Sequence, residues 1–363
     1  MNPTELLHRA GQSLWLDNIT RDLLASGTLA RYIAELSVTG LTSNPTIFEH
    51  AIGSGDAYDA SIRVLDAAGL AEEDLFFELA IEDLTQAADL FRPIHERTRG
   101  VDGWVSLEVS PLLAYDTANT IAAARDLHGR AQRPNLFIKI PGTTEGLPAI
   151  EEAVFNGVPI NVTLLFSREH YLAVAEAWMR GIERRIAEGL DPKVESVASI
   201  FVSRWDVAVK DHVRPESQNR LGIAIAQRCY KAYRELLGSA RMRKLVAAGA
   251  HPQRLLWAST GTKDPAARDT LYVEAFAAPD TVDTIPDKTL LAFADHGRVG
   301  AAMAVDGGDC ESVIAGIERQ GVDVVEVAAR LQKEGGEAFA KSWSALLSGL
   351  RDKIAQLAGA HAA

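Results

Sequence analysis

The chain is poor in cysteine. Cys229 and Cys310 are the only two in 363 residues, and they lie far apart with no C-x-x-C spacing. Neither a disulfide framework nor a cysteine-based zinc site is indicated. A reducing, cytoplasmic compartment is the simple expectation. No apolar run approaches the ~18 residues that span a bilayer, and Met1-Asn2-Pro3-Thr4-Glu5 lacks the basic-then-apolar order of a signal peptide. No membrane partner is therefore expected. Positive charge is also scarce: 37 Lys and Arg face 49 Asp and Glu, a formal net charge of -12. That balance argues against a nucleic-acid surface, since phosphate-backbone binding is driven by Lys and Arg. It leaves room for a local basic pocket holding one phosphate. Several motifs are missing. Without G-x-x-x-x-G-K-[ST] or G-x-G-x-x-G no nucleotide loop is expected, and the nine histidines show no H-E-x-x-H or paired ligand spacing, so no metal is expected. No G-x-S-x-G elbow presents a serine nucleophile.

What is present is an alternation of helical patterns with short apolar runs. Hydrophobic residues make up 47% and charged residues 24%, ordinary for a globular chain with a filled core. Asn2-Pro3-Thr4-Glu5 supplies an N-cap, a proline at the first helical position and a glutamate at the third, so a leading helix should run to about Gly11. Strand-like runs follow at 14–17, 38–45, 104–110, 135–142, 159–165, 194–202, 255–260 and 281–285. Between them, Phe76, Ala80, Leu84, Ala87 and Phe91 recur at helical spacing, with Pro93 and Gly100 expected to end that helix. Helices are also expected over 117–130 and 145–155, and over a segment capped by Ser167 with Leu172, Ala175, Met179, Ile182 and Ile186 on one face. The stretch around Pro215 reads as a loop, 220–246 as helical, and 309–356 as a helical tail.

Eight strands alternating with helices predict an α/β fold, an eight-stranded parallel (β/α)8 TIM barrel with extra N-terminal and C-terminal helices. A doubly wound open sheet is the alternative. The expected organisation is a single domain over 1–363: a leading helix at 1–12, the barrel at 13–305, and a C-terminal helical extension at 306–363 packed on it.

Asn135-Leu136-Phe137-Ile138-Lys139-Ile140-Pro141-Gly142 places one lysine inside an apolar strand. A lone strand lysine ordinarily keeps its ammonium in solvent or against a carboxylate, because an unpaired buried charge is costly. Desolvation offers another use: a neutral amine can attack a carbonyl and form a Schiff base. Strand parity decides which neighbours it has. The aliphatic faces are Val105, Leu107 and Val109; Leu136, Ile138 and Ile140; and Ile160, Val162 and Leu164. If these pack on outer helices, then Asp17, Thr42, Asn44, Glu108, Lys139, Asn161 and Thr163 all point into the barrel. A lysine with two carboxylates and several hydrogen-bonding groups on one interior is a catalytic constellation, although each Asp or Asn alone more often caps the next helix. Ser199 and Arg204 after the sixth strand, and Ser259-Thr260-Gly261-Thr262-Lys263 after the seventh, are candidate phosphate binders.

Three ordered segments resemble the transaldolases: Gly40-Leu41-Thr42-Ser43-Asn44-Pro45-Thr46, Phe137-Ile138-Lys139-Ile140-Pro141 and Ile160-Asn161-Val162-Thr163-Leu164-Leu165-Phe166-Ser167. The resemblance implies an eight-stranded barrel with Lys139 as Schiff-base lysine, Asp17 as general acid/base at the cleaved bond, and Glu108 working through a water on the carbinolamine. It implies Asn44 and Asn161 as substrate hydrogen-bond partners, with Thr42 and Thr163 alongside, and Ser199 and Arg204 at the phosphate. Where family members read Ala-Ser-Phe-Arg, this chain has Ala258-Ser259-Thr260-Gly261, so Lys263 is a candidate replacement for that arginine. The implied reaction moves a dihydroxyacetone unit from a ketose phosphate to an aldose phosphate with no cofactor. The implied partners are sugar phosphates, in a monomer or homodimer. Two alternatives are a class I aldolase that releases free dihydroxyacetone, and a non-catalytic sugar-phosphate binding barrel.

Overall fold

The computed structural model describes residues 2–359. Eight strands, β1 (Ser13–Leu16), β2 (Val38–Thr42), β3 (Val105–Glu108), β4 (Leu136–Pro141), β5 (Ile160–Leu165), β6 (Ser196–Phe201), β7 (Arg254–Ala258) and β8 (Val282–Ile285), close in sequence order into a barrel. All pairings are parallel, and β8 returns to β1. Helices cover the outside, so strands buried on both faces read as near-continuous apolar runs. The polar interior residues of β3, β4 and β5 interrupt those runs and carry the site.

The N-terminal end of the barrel is filled by aromatic side chains. Trp104 stacks on Phe137 with centroids 4.1 Å apart, and Trp15 lies 6.0 Å from the same ring. Gly40 makes this possible: a Cβ there would stand 2.6 Å from the Trp104 carbonyl oxygen and 2.7 Å from Trp15 Nε1. Trp15 Nε1 donates to Asp102 over 2.8 Å, the Ser13 hydroxyl donates to the same carboxylate, and Arg254 donates to Ser13 Oγ over 2.8 Å. Trp15, Ser13, Asp102 and Arg254 thereby satisfy one another at this end.

The leading helix runs over Pro3–Arg9, with Asn2 accepting from the Glu5 amide. Four sequence expectations need correction. Pro93 does not end its helix, which continues to Arg97. Pro93 is exposed, while Phe91 and Ile94 beside it are buried, so packing carries the helix past the one missing amide donor. The helical face over Arg168–Ala187 is Tyr171, Val174, Ala175, Trp178 and Ile182, whereas Leu172 and Ile186 are exposed. The 220–246 segment divides into Leu221–Leu237 and Ala240–Ala247, because Ser239 begins a new helix by accepting from the Met242 amide. Finally, Leu164 does not continue the outward face of Ile160 and Val162. It adopts φ +61°, and the register of β5 with β6 shifts between Val162 and Leu165.

The C-terminal tail forms helices Cys310–Glu318 and Val324–Gly359. The last helix lies at the barrel's C-terminal end: Gln332 Nε2 donates to the Gly142 and Leu164 carbonyls over 3.1 and 2.9 Å. Thr46 donates to Ser342 over 2.8 Å, and Trp343 meets the Phe76 ring edge-on at 5.0 Å. Among the described residues no helix is long and apolar enough to cross a membrane.

Candidate active site

β3, β4 and β5 are aligned so that Glu108 pairs with Lys139 and Lys139 with Asn161. Residues in register on adjacent parallel strands point to the same side, so one interior layer holds a carboxyl, an amine and an amide side by side. Lys139 Nζ donates to Glu108 Oε2 over 2.9 Å and to the Ser43 carbonyl over 3.1 Å. Both ionisable residues are 5% exposed. Burial pushes the Glu108 carboxyl above its usual range, and the Lys139 charge pulls it back. Glu108 Oε1 has no protein partner. The pairing offsets part of the cost of taking both groups out of water.

Asp17 directly follows β1 and is half-buried. Thr42 Oγ1 donates to it over 3.0 Å, which makes Thr284 the donor in the 2.6 Å contact between the Thr42 and Thr284 hydroxyls. Burial raises the Asp17 pKa, opposed first by the charge of Lys139. A carboxyl raised toward working pH is better matched to general acid/base chemistry than an ordinary surface aspartate.

Asp17, Thr42, Asn44, Lys139, Thr163 and Ser199 line one cavity of about 120 Å³, together with Arg204, Ser259 and Lys263. Asn44 also caps the Pro45–Gly53 helix, its Oδ1 accepting from the Ile47 amide over 3.1 Å. The capping role and the cavity position coexist, because the cap uses only the oxygen of the amide. Thr163 Oγ1 is buried without a partner and faces the same space. Two expectations are altered. Asn161 is fully buried and is not in the cavity wall; its Nδ2 donates to Ser106 Oγ over 3.1 Å and its Oδ1 accepts from Ser199 over 2.7 Å. Ser199 thus reaches the cavity with its hydroxyl proton already committed.

Arg204 and Lys263 bring positive charge to the cavity from the segments after β6 and β7. Neither makes an ion pair with a carboxylate among the described residues. Arg204 is half-buried, which lowers its pKa, and its Cζ lies 5.1 Å from the Phe201 ring. A half-buried guanidinium without a counter-ion has donors free to receive an anion. Ser259 sits at φ +59°, and its hydroxyl contacts that of Ser203 over 2.9 Å, tying the two segments together.

Sequence reasoning missed Ser43, Thr284, Phe201 and Phe339. Phe201 shares the parity of Ser199 on β6, so that signal was available. Phe339 comes from the last helix and left none.

A model of the transaldolase/fructose-6-phosphate aldolase family matches residues 14–350. The chain belongs to this family. Its three resembling segments fall on β2 with its following turn, on β4, and on β5. Among similar proteins is a transaldolase of Thermobifida fusca, 45% identical and covering 99% of both chains. A transaldolase of Saccharopolyspora erythraea is 44% identical over 97% of this chain and 98% of its own length. A transaldolase of Thiobacillus denitrificans is 44% identical, with 96% and 99% covered. Membership in the transaldolase/fructose-6-phosphate aldolase family thus extends over the whole barrel and into the last helix.

Proposed function

We propose that the chain is a transaldolase that moves a dihydroxyacetone unit from fructose 6-phosphate or sedoheptulose 7-phosphate to glyceraldehyde 3-phosphate or erythrose 4-phosphate. The observation that carries this reading is Lys139, a buried amine 2.9 Å from Glu108 and opening into the cavity that Asp17 lines. Lys139 attacks the C2 ketone of the donor, and Glu108, a carboxyl disposed by burial to hold a proton, serves the loss of water from the carbinolamine. The resulting iminium is an electron sink. Asp17 takes the proton of the C4 hydroxyl, the C3–C4 bond breaks, and its electrons pass into an enamine held on Lys139. The aldose phosphate leaves, and the enamine carbon attacks the aldehyde of the acceptor. Water then frees the new ketose. Arg204 and Lys263 hold the substrate phosphate, with Ser199 and Ser259 beside them. Asn44, Thr42 and Thr163 hold the sugar hydroxyls, and Asn161 acts through Ser199.

Borohydride reduction with fructose 6-phosphate should leave a three-carbon adduct on the Lys139 peptide, and Lys139→Ala should remove both adduct and turnover while the fold persists. An adduct on another residue, or a fully active variant, contradicts the assignment. The family description also names an aldolase, so release of free dihydroxyacetone is the second reading. Comparing dihydroxyacetone formed with and without an acceptor aldose phosphate separates the two.

A further inference from the structure

The barrel does not build the whole wall of its cavity. Phe339 of the Val324–Gly359 helix completes it, 6% exposed, with its ring centroid 5.7 Å from Lys139 Nζ and 5.7 Å from Arg204 Cζ. Phe201 of β6 stands 6.5 Å from Phe339, so Arg204 has an aromatic ring from the barrel and another from the helix. The helix is fitted closely here. A Cβ at Gly335 would lie 2.9 Å from Leu164 Cδ2 and 3.1 Å from Arg204 Nη1, and Gln332 binds the carbonyl of the left-handed Leu164. The irregular end of β5, the glycine and the glutamine all serve one close approach. Its result is an apolar ring over the amine.

We propose that Phe339 is a specificity-determining residue, the apolar roof that keeps water from the three-carbon intermediate on Lys139 and so sets the ratio of transfer to release. The proposal rests on the Schiff-base reading above. The enamine carbon has two fates. In transfer, its electron pair forms a bond to the acceptor aldehyde carbon, whose oxygen takes a proton. In release, the same carbon takes a proton from solvent or an acid, water adds to the iminium carbon, and dihydroxyacetone departs as the Lys139 amine is regenerated. A phenyl ring has no proton to give and keeps solvent from the enamine carbon, so it opposes the protonation that commits the intermediate to release; the later hydrolysis of an iminium is common to both fates. Gly335 and Gln332 are positioning residues that act through Phe339.

The test measures free dihydroxyacetone per fructose 6-phosphate cleaved, with a saturating acceptor aldose phosphate, in the wild type, Phe339→Ala, Phe339→Leu and Gly335→Ala. Because the readout is a ratio, it does not depend on how much of a variant folds. Phe339→Ala should raise the released fraction about tenfold or more, Gly335→Ala should raise it less, and Phe339→Leu, which restores apolar volume, should return most of the way. Lower turnover at an unchanged ratio in Phe339→Ala overturns the proposal and leaves a structural role. Borohydride trapping of the wild type separates the premises: an adduct with an unchanged ratio sinks the roof alone, whereas no adduct sinks the Schiff base and the roof together.

Discussion

Asp283 has no part in the proposed chemistry and is the least comfortable residue in the molecule. It is fully buried on β8, in register with Trp257 of β7. Neither Asp283 oxygen nor Trp257 Nε1 has a partner, and the Thr260 hydroxyl close by donates instead to the Thr284 carbonyl over 2.9 Å. Burial pushes the Asp283 carboxyl up to about 8. An unfolded aspartate titrates near ~3.9, so between these values the folded chain holds a proton that the unfolded chain releases. Stability from this site is therefore intact below the unfolded value and is lost as pH rises toward 8, by up to about 5 kcal/mol across the window. Asp283→Asn keeps the shape without the titration. Urea midpoints should differ little near pH 4 and favour the variant increasingly by pH 8; a difference independent of pH would refute this account. Thr284, one residue on, faces the cavity, and this alternation along β8 separates a site residue from a stability defect.

Among the elements, the strands were the most legible. Each is short and almost wholly buried, and polar residues alternate with aliphatic ones on β3 and β5, so parity applied to these strands, to β4 and to the β1 run brought Glu108, Lys139 and Asp17 to one interior. Legibility ended where tertiary contacts override local pattern. The left-handed turn at Leu164 exists to meet Gln332 and Gly335, which lie about 170 residues further along the chain. The commitment of Asn161 to Ser106 and Ser199 depends on register between strands, which no single segment states. The helix over Glu72–Arg97 persists through Pro93 because Leu84, Ala87, Ala88, Phe91 and Ile94 are all buried. The proline nevertheless costs it one amide bond to the Asp89 carbonyl. Pro93→Ala should therefore stabilise the chain, by about 1–2 kcal/mol once the added freedom of the unfolded chain is subtracted. An unchanged or lower urea midpoint would show that the helix is shaped around its proline.

For the molecule as a whole, the two ends of the barrel carry different burdens. The C-terminal end holds a buried amine, raised carboxyls and cations without counter-ions, arrangements that cost stability and enable chemistry. A net charge of -12 repels anionic sugars at long range, so under the proposed function their local attraction would fall to Arg204 and Lys263. The N-terminal end shows the opposite pattern. Trp15, Trp104 and Phe137 fill the interior, Asp102 accepts from Trp15 Nε1, Ser13 and the Gly103 amide, and Arg254 closes over Ser13 and the Thr281 carbonyl. This division, with chemistry at the C-terminal strand ends and stability at the N-terminal ends, is the general logic of α/β barrels. It makes Asp102 a discriminating target. Asp102→Ala leaves the buried Trp15 indole and Ser13 hydroxyl without their acceptor, at a cost of about 2–4 kcal/mol. The folded fraction should keep the kcat/KM of the wild type, since no residue of this network lines the cavity around Lys139. Urea unfolding and steady-state kinetics on the same preparation test both halves. A loss of kcat/KM in fully folded Asp102→Ala would mean that the two ends are mechanically coupled, and that the aromatic floor sets the position of Lys139.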